Sequence, residues 1–217
     1  MTGRSDLRIA ALFCGAVGLY DLLFVIFSLT RGPVIGPLVD ILFPDFLVFH
    51  AAARAFFQGK LALVYDIDAF TRFQIASYPD RLDPSATFRP FFYPPIFLLM
   101  LLPLGAFAVA KAYGLFMAAT AALATAVEGR RDPWGWLAVL LSPAAAEVVL
   151  AGQNTFLSLA LLYGGLRLLE RSPGAAGLLL GALSFKPQLW ILVPVALVAA
   201  RQWRALAWTL TTLLALA

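Results

Sequence analysis

The chain alternates long apolar runs with short polar interruptions, and one polar stretch is far longer than the others. The first run, Ile9–Leu29, holds 21 residues, enough for one helical membrane crossing. Residues 31–91 then carry twelve of the chain's twenty-eight Asp, Glu, Lys and Arg residues, and its only histidine. Ile96–Val127 follows, interrupted by Pro103, Gly105 and Lys111. After it come Trp134–Ala151, Thr155–Leu169, Gly174–Ser184, Leu189–Ala200 and an apolar run starting near Ala205. This pattern predicts an all-α fold: a polytopic transmembrane helical bundle with one large external loop carrying interfacial helices.

Within residues 31–91, Asp45 is placed to cap a helix running to about Gln58, with Gly59 as its stop. On a helical wheel Phe46, Phe49, Phe56 and Phe57 share one face, and His50, Arg54 and Gln58 form a polar stripe beside it. Such a helix is expected to lie in the interfacial plane, rings toward lipid and stripe toward water or substrate. Ile67–Ser77 reads as a second short helix and Pro79–Pro84 as turn.

Composition agrees with the pattern. The chain is 62% hydrophobic and 13% charged, with a mean hydropathy of +0.87, values of an integral membrane protein. Its 217 residues leave room for roughly five to seven passes, read as one membrane domain: a first helix in 1–30, the loop in 31–91 and further helices in 92–217. The net charge of +4 is no nucleic-acid footprint, because basic residues cluster at the ends of apolar runs, where they set topology. Cys14 is the single cysteine, so no internal disulfide forms. Arg4 and Arg8 precede the first run and no small-x-small cleavage site follows it, which reads as a retained helix with its basic end in the cytosol. The 31–91 loop is then outside, periplasmic in a Gram-negative cell. Asp21 sits about midway along the first run; it is either a functional carboxylate or a protonated one bonded to a neighbouring helix.

In the second half, basic clusters at 130–131, 167–171 and 201–204 alternate with the polar tripeptides Gly152-Gln153-Asn154 and Lys186-Pro187-Gln188. The apolar arms between them are short. With the basic clusters in the cytosol, the tripeptides fall within the membrane or at its outer edge, where broken helices are tolerated if they line a cavity. For 174–200, a cavity-lining break and a single helix kinked at Pro187 both stay open. So do two arrangements of 96–127, two passes or a short half-helix followed by one full pass.

No phosphate-binding glycine loop, Cys/His metal spacing or nucleophile elbow occurs. What remains is a carboxylate on a surface helix, cationic side chains and several carboxamides. That set suits a lipid-linked phosphate, with Arg and Lys on phosphate oxygens and a carboxylate taking a proton from a sugar hydroxyl.

Asp45-Phe46-x-x-Phe49, Ala52-x-Arg54, Gly59, Tyr65-Asp66, Phe92-Tyr93-Pro94-Pro95, Ser142-Pro143, Gly152-Gln153-Asn154, Gly164-Gly165, Glu170-Arg171 and Ser184-Phe185-Lys186-Pro187-Gln188 together resemble glycosyltransferase family 87 over about residues 40–205. These are bacterial multi-pass membrane enzymes of the GT-C class. The resemblance implies transfer of mannose or a related sugar from a polyprenyl-phosphate donor to a lipid or glycan acceptor, outside the plasma (inner) membrane and generally with inversion. It gives Asp45 the role of general base, with Asp40 and Asp66 as rivals. It implies that Lys186, Gln188, Gln153 and Asn154 line the lipid-phosphate and sugar site, joined by His50, Arg54, Arg89 and Tyr93, and that the aromatic helix guides the prenyl chain. No cofactor is implied beyond the donor, and a divalent ion shared by Asp45 and Asp66 stays open. Members are usually much longer, so the chain is expected to be an N-terminal half. Two other readings stand beside this one: a lipid or solute transporter, and a non-catalytic subunit completing a partner's bundle.

Overall fold

A computed structural model describes residues 9, 11–20, 23, 44–128, 137 and 139–216. Arg4, Arg8, Asp21, Asp40, Arg130 and Arg131 lie outside them. Among the described residues every regular element is helical, as the apolar pattern requires. The helices are α1 (Ala11–Tyr20), α2 (Pro44–Phe57), α3 (Ile67–Ser77), α4 (Pro95–Leu101), α5 (Val109–Glu128), α6 (Pro143–Ala151), α7 (Thr155–Leu168), α8 (Pro173–Ala182), α9 (Pro187–Trp190), α10 (Leu192–Ala199) and α11 (Trp203–Leu216). Within α5, Val109–Val127 is the one described helix long and apolar enough to span a bilayer; the other apolar helices have 10–17 residues.

Helix α2 begins at Pro44, whose fixed φ suits a first helical position, and stops at Gly59, where φ is +68°. Its setting differs from the expected interfacial one. Phe46 is 0% and Phe49 2% exposed, and Ala51, Ala52, Ala53 and Ala55 are fully buried; only Phe56 and Phe57 face outward. The cause is the small side chains. The turn Leu102–Ala106 comes so close that a Cβ on Gly105 would meet the Ala53 carbonyl at 2.8 Å. Helix α4 and this turn therefore cover α2, and the aromatic face seals against Phe97, Phe116 and Tyr113 at centroid distances of 5.1–5.6 Å. Protein, rather than lipid, takes the rings.

The same turn settles 96–127 as a short helix followed by one long one. α5 then runs alongside α7 in the same direction: at one end the Tyr113 hydroxyl donates to the Val149 carbonyl, just before α7, at 2.5 Å, and at the other Arg167 donates to the Val127 carbonyl at 2.8 Å. α8 returns beside α7, with Gly165 against Leu180. At Lys186-Pro187 the chain reverses rather than kinks. α9 and α10 run back, and α11 lies parallel to α8, its Trp208 and Thr212 against Gly177 and Gly181. The 167–171 and 200–202 turns consequently share one end, where Arg167, Glu170, Arg171 and Gln202 line a common cleft. The two polar tripeptides meet at the opposite end, over α2.

Candidate active site

At that opposite end Asp45 is the second residue of α2, in its first turn and not at the cap position expected of it. A carboxylate there is favoured by the positive end of the helix. Its Oδ2 accepts a hydrogen bond from the Gln153 Nε2, so it is committed to a partner far along the chain and not to its own helix. Gln153 is delivered by the break between α6 and α7. Ser142 caps α6 by accepting from the Ala145 N–H at 3.0 Å, and Gly152 ends it with a φ of +72°. The Gln153 N–H then turns back to the Val148 carbonyl at 2.9 Å, leaving its side chain toward Asp45. An L side chain at position 152 would resist that left-handed turn.

Arg89 is anchored from three sides. Its N–H donates to Thr71 Oγ1 at 3.0 Å, its carbonyl accepts from the buried Gln74 at 2.6 Å, and its Nε donates to Gln74 Oε1 at 3.2 Å. The guanidinium also donates to the Pro44 carbonyl at 2.8 Å, which ties α3 and residues 88–91 to the start of α2. Tyr93 is wedged against Phe97 and Phe49, centroids 4.5 and 5.3 Å away, while its carbonyl accepts from the Tyr65 hydroxyl at 3.3 Å. Beside the Tyr93 hydroxyl lies the Asn154 carboxamide, fully buried and with no well-formed hydrogen bond at either end. The third contribution comes from the reversal at 183–188, where Phe185 stacks on Phe97 at 4.8 Å.

These pieces enclose a cleft of about 340 Å³ lined by Asp45, Val48, Phe49, Pro90, Phe92, Tyr93, Phe185, Pro187 and Gln188. Asp45 is the only carboxylate among its lining residues. Burial pushes the Asp45 pKa above its usual value; Arg89 opposes the shift and Glu147 adds to it. The Tyr93 phenol is also pushed up by burial, eased by the Asn154 amide and reinforced by Asp45. A carboxylate so placed is a better proton acceptor than one in open water.

The model of Glycosyltransferase family 87 matches residues 91–217, more than half of the chain. The chain belongs to this family. No curated protein and no solved structure matches it. Membership of family 87 makes it a membrane-associated glycosyltransferase, in accord with the resemblance carried by the motifs. The matched span includes Tyr93, Gln153, Asn154, Lys186 and Gln188 but starts after α2. What joins Asp45 to the family-87 residues is the fold.

Of the residues expected to bind substrate, Gln153, Asn154, Gln188, Arg89 and Tyr93 gather around Asp45. Lys186 sits on the turn between the lining residues Phe185 and Pro187, half-buried, with no ion pair among the described residues. His50 and Arg54 do not join them. They lie on the opposite face of α2, where His50, 1% exposed, bonds to Tyr78 and to the Phe107 carbonyl. Of the polar stripe, His50 is thus packed under the 102–108 turn instead of facing water, while Arg54 is half-buried and Gln58 exposed. Asp66 caps α3, its Oδ1 accepting from the Ala69 N–H at 2.9 Å. Among the described residues no three His, Cys, Asp or Glu side chains are grouped to hold a metal. Glu147 escaped the sequence reading. It stands in an apolar run as Asp21 does, and the same signal, an ionisable group among membrane-grade residues, would have flagged it.

Proposed function

We propose that this family 87 glycosyltransferase moves a hexose, mannose or a close relative, from a polyprenyl-phosphate donor to a lipid or glycan hydroxyl, with Asp45 as general base. The observation that carries the reading is a single half-buried carboxylate, its pKa raised, bonded to Gln153 in a cleft that also holds Gln188 and Tyr93. In the step proposed, the acceptor oxygen attacks the anomeric carbon and its proton passes to Asp45. The bond from that carbon to the phosphate oxygen breaks, and the electron pair leaves with the polyprenyl phosphate. One base on one face of the sugar corresponds to inversion. Gln153 holds the carboxylate toward the acceptor, while Lys186, Gln188 and Asn154 serve the sugar and the phosphate.

The donor's tail has a path. An apolar groove of about 310 Å³, lined by Leu180, Leu189, Leu192 and Val193, begins one residue beyond Gln188. This groove, and not the aromatic face of α2, is the proposed seat of the prenyl chain. Together with the membrane-length α5 and the basic turns at one end, it supports a multi-pass bundle in a bacterial plasma membrane. The N-terminus and basic turns are placed in the cytosol and the Asp45 cleft outside.

The test is sugar transfer from radiolabelled polyprenyl-phosphate-mannose in membranes holding the chain, beside Asp45→Asn matched for expression. A general base supplies about 10²–10⁴-fold, so the Asn variant should lose about that much. Equal transfer by the two would remove Asp45 from the role.

A further inference from the structure

A second and larger cleft lies on the far side of α2. Arg54 stands nine positions after Asp45, which at 100° per residue places it half a turn round the helix. The cleft has a volume of about 460 Å³, and its walls include Arg54, Tyr78, Asp80, Arg81, Phe107 and Val109. Two guanidinium groups and one carboxylate leave it net positive.

Arg54 stands in this wall beside a directed chain of hydrogen bonds. The Phe107 carbonyl can only accept, so His50 Nε2, 3.0 Å away, carries the proton. Burial keeps the imidazole neutral by lowering its pKa, which makes Nδ1 an acceptor for the Tyr78 hydroxyl at 2.7 Å. The Tyr78 oxygen, its proton so used, keeps its lone pairs for the neighbouring Arg54 guanidinium. The guanidinium sits beside Tyr78 in the cleft wall. Among the described residues no carboxylate lies within ion-pair distance of Arg54, although Asp80 lines the same space. A half-buried guanidinium placed this way and lacking a counter-charge is arranged for an anion of forked geometry, such as a phosphate.

The level of the cleft selects the source. Its floor is the start of α5, the helix of membrane-spanning length, where Lys111 Nζ sits 4.7 Å from the centre of the Phe107 ring. An aromatic ring and a lysine at the end of a span mark the membrane–water interface, the depth of lipid phosphates. We propose that this second cleft binds the phosphate-bearing head group of a membrane lipid. The site is separate from the Asp45 cleft and does not depend on which residue is the base.

The experiment uses the full chain in neutral detergent, read by native mass spectrometry. The probes are short-chain phosphatidylglycerol, inorganic pyrophosphate and uncharged dioctanoylglycerol. Phosphatidylglycerol should bind, Arg54→Gln and Arg81→Gln should each weaken it tenfold or more, and Asp45→Asn should leave it unchanged. Equal binding by the wild type and both arginine variants overturns the proposal. So does dioctanoylglycerol binding as well as phosphatidylglycerol, since apolar contact alone would then explain it. Pyrophosphate bound through Arg54 and not displaced by phosphatidylglycerol overturns the lipid source. Where Arg54→Gln fails to fold, Arg54→Lys keeps the charge without the fork and should still lose most of the binding.

Discussion

The two polar faces of α2 treat their polar side chains in opposite ways. On the Asp45 face, the carboxylate meets one carboxamide and opens on a cleft, and the nearby Asn154 amide lacks a good partner at either end. On the His50 face, both imidazole nitrogens are bonded, one to a phenol and one to a backbone carbonyl. Buried polar groups left short of partners are costly to folding, and are retained where a ligand completes them. Fully bonded ones stabilise. The contrast sets the Asp45 face, the proposed seat of chemistry, against a closed His50 network beside which Arg54 faces outward.

The widest gap between the faces should come from Asp45→Asn. Transfer is expected to fall about 10²–10⁴-fold while the melting temperature at neutral pH holds or rises, because the amide relieves a buried charge and still accepts from Gln153. A melting temperature that fell with activity would erase the distinction. Gly105→Ala attacks the other face: its Cβ would press on the Ala53 backbone at 2.8 Å, and overpacking of this kind costs about 1–3 kcal/mol in denaturant or thermal unfolding. Unaltered stability would mean that the 102–106 turn yields freely. His50→Ala should cost about 1–3 kcal/mol by orphaning Tyr78 and the Phe107 carbonyl, and surviving enzyme should keep its pH profile.

The smallest effect is the most specific. With Asp45 as the proposed base, transfer should decline as pH falls through a pKa raised above the usual 3.8. The raised value means the folded state binds that proton more tightly than the unfolded chain. The associated stability is present in acid and lost as pH rises through the folded pKa. Glu147→Gln removes one cause of the rise and should move the acid limb of the rate profile to lower pH. A limb that stayed in place would disconnect Glu147 from the site.

Much of the local structure was legible in the sequence, because its signals are local. Gly59 and Ile67–Ser77 were placed as they stand, and α2 was expected two residues late at its start and one residue late at its end. The breaks at Gly152-Gln153-Asn154 and Lys186-Pro187-Gln188 were also legible, and the alternation of basic and polar turns put both at one end, whereas their gathering around Asp45 was implied by the family resemblance. The burial of α2 was not. An apolar helix face is the same in sequence whether lipid or protein covers it, and what decides is Gly105 meeting Ala53 across more than fifty residues. The fate of His50 was hidden for the same reason, since its partners are 28 and 57 residues away. Asp45 and Gln153, 108 residues apart, were named separately, and only the fold makes them a pair.

The seam between α8 and α11 carries a consequence for how the protein is made. A Cβ at Gly177 would come within 2.4 Å of Trp208 Cβ, and one at Gly181 within 2.5 Å of Thr212 Cβ, so α8 has no side chains of its own on that side. It is a socket for α11. The ribosome delivers α9 and α10 first, and at about 5–20 residues per second the socket stays vacant for roughly 2–7 seconds before Trp203–Leu216 emerges. During that interval the nascent chain shows its neighbours in the membrane a bare strip of backbone, and any other helix with small side chains competes for it.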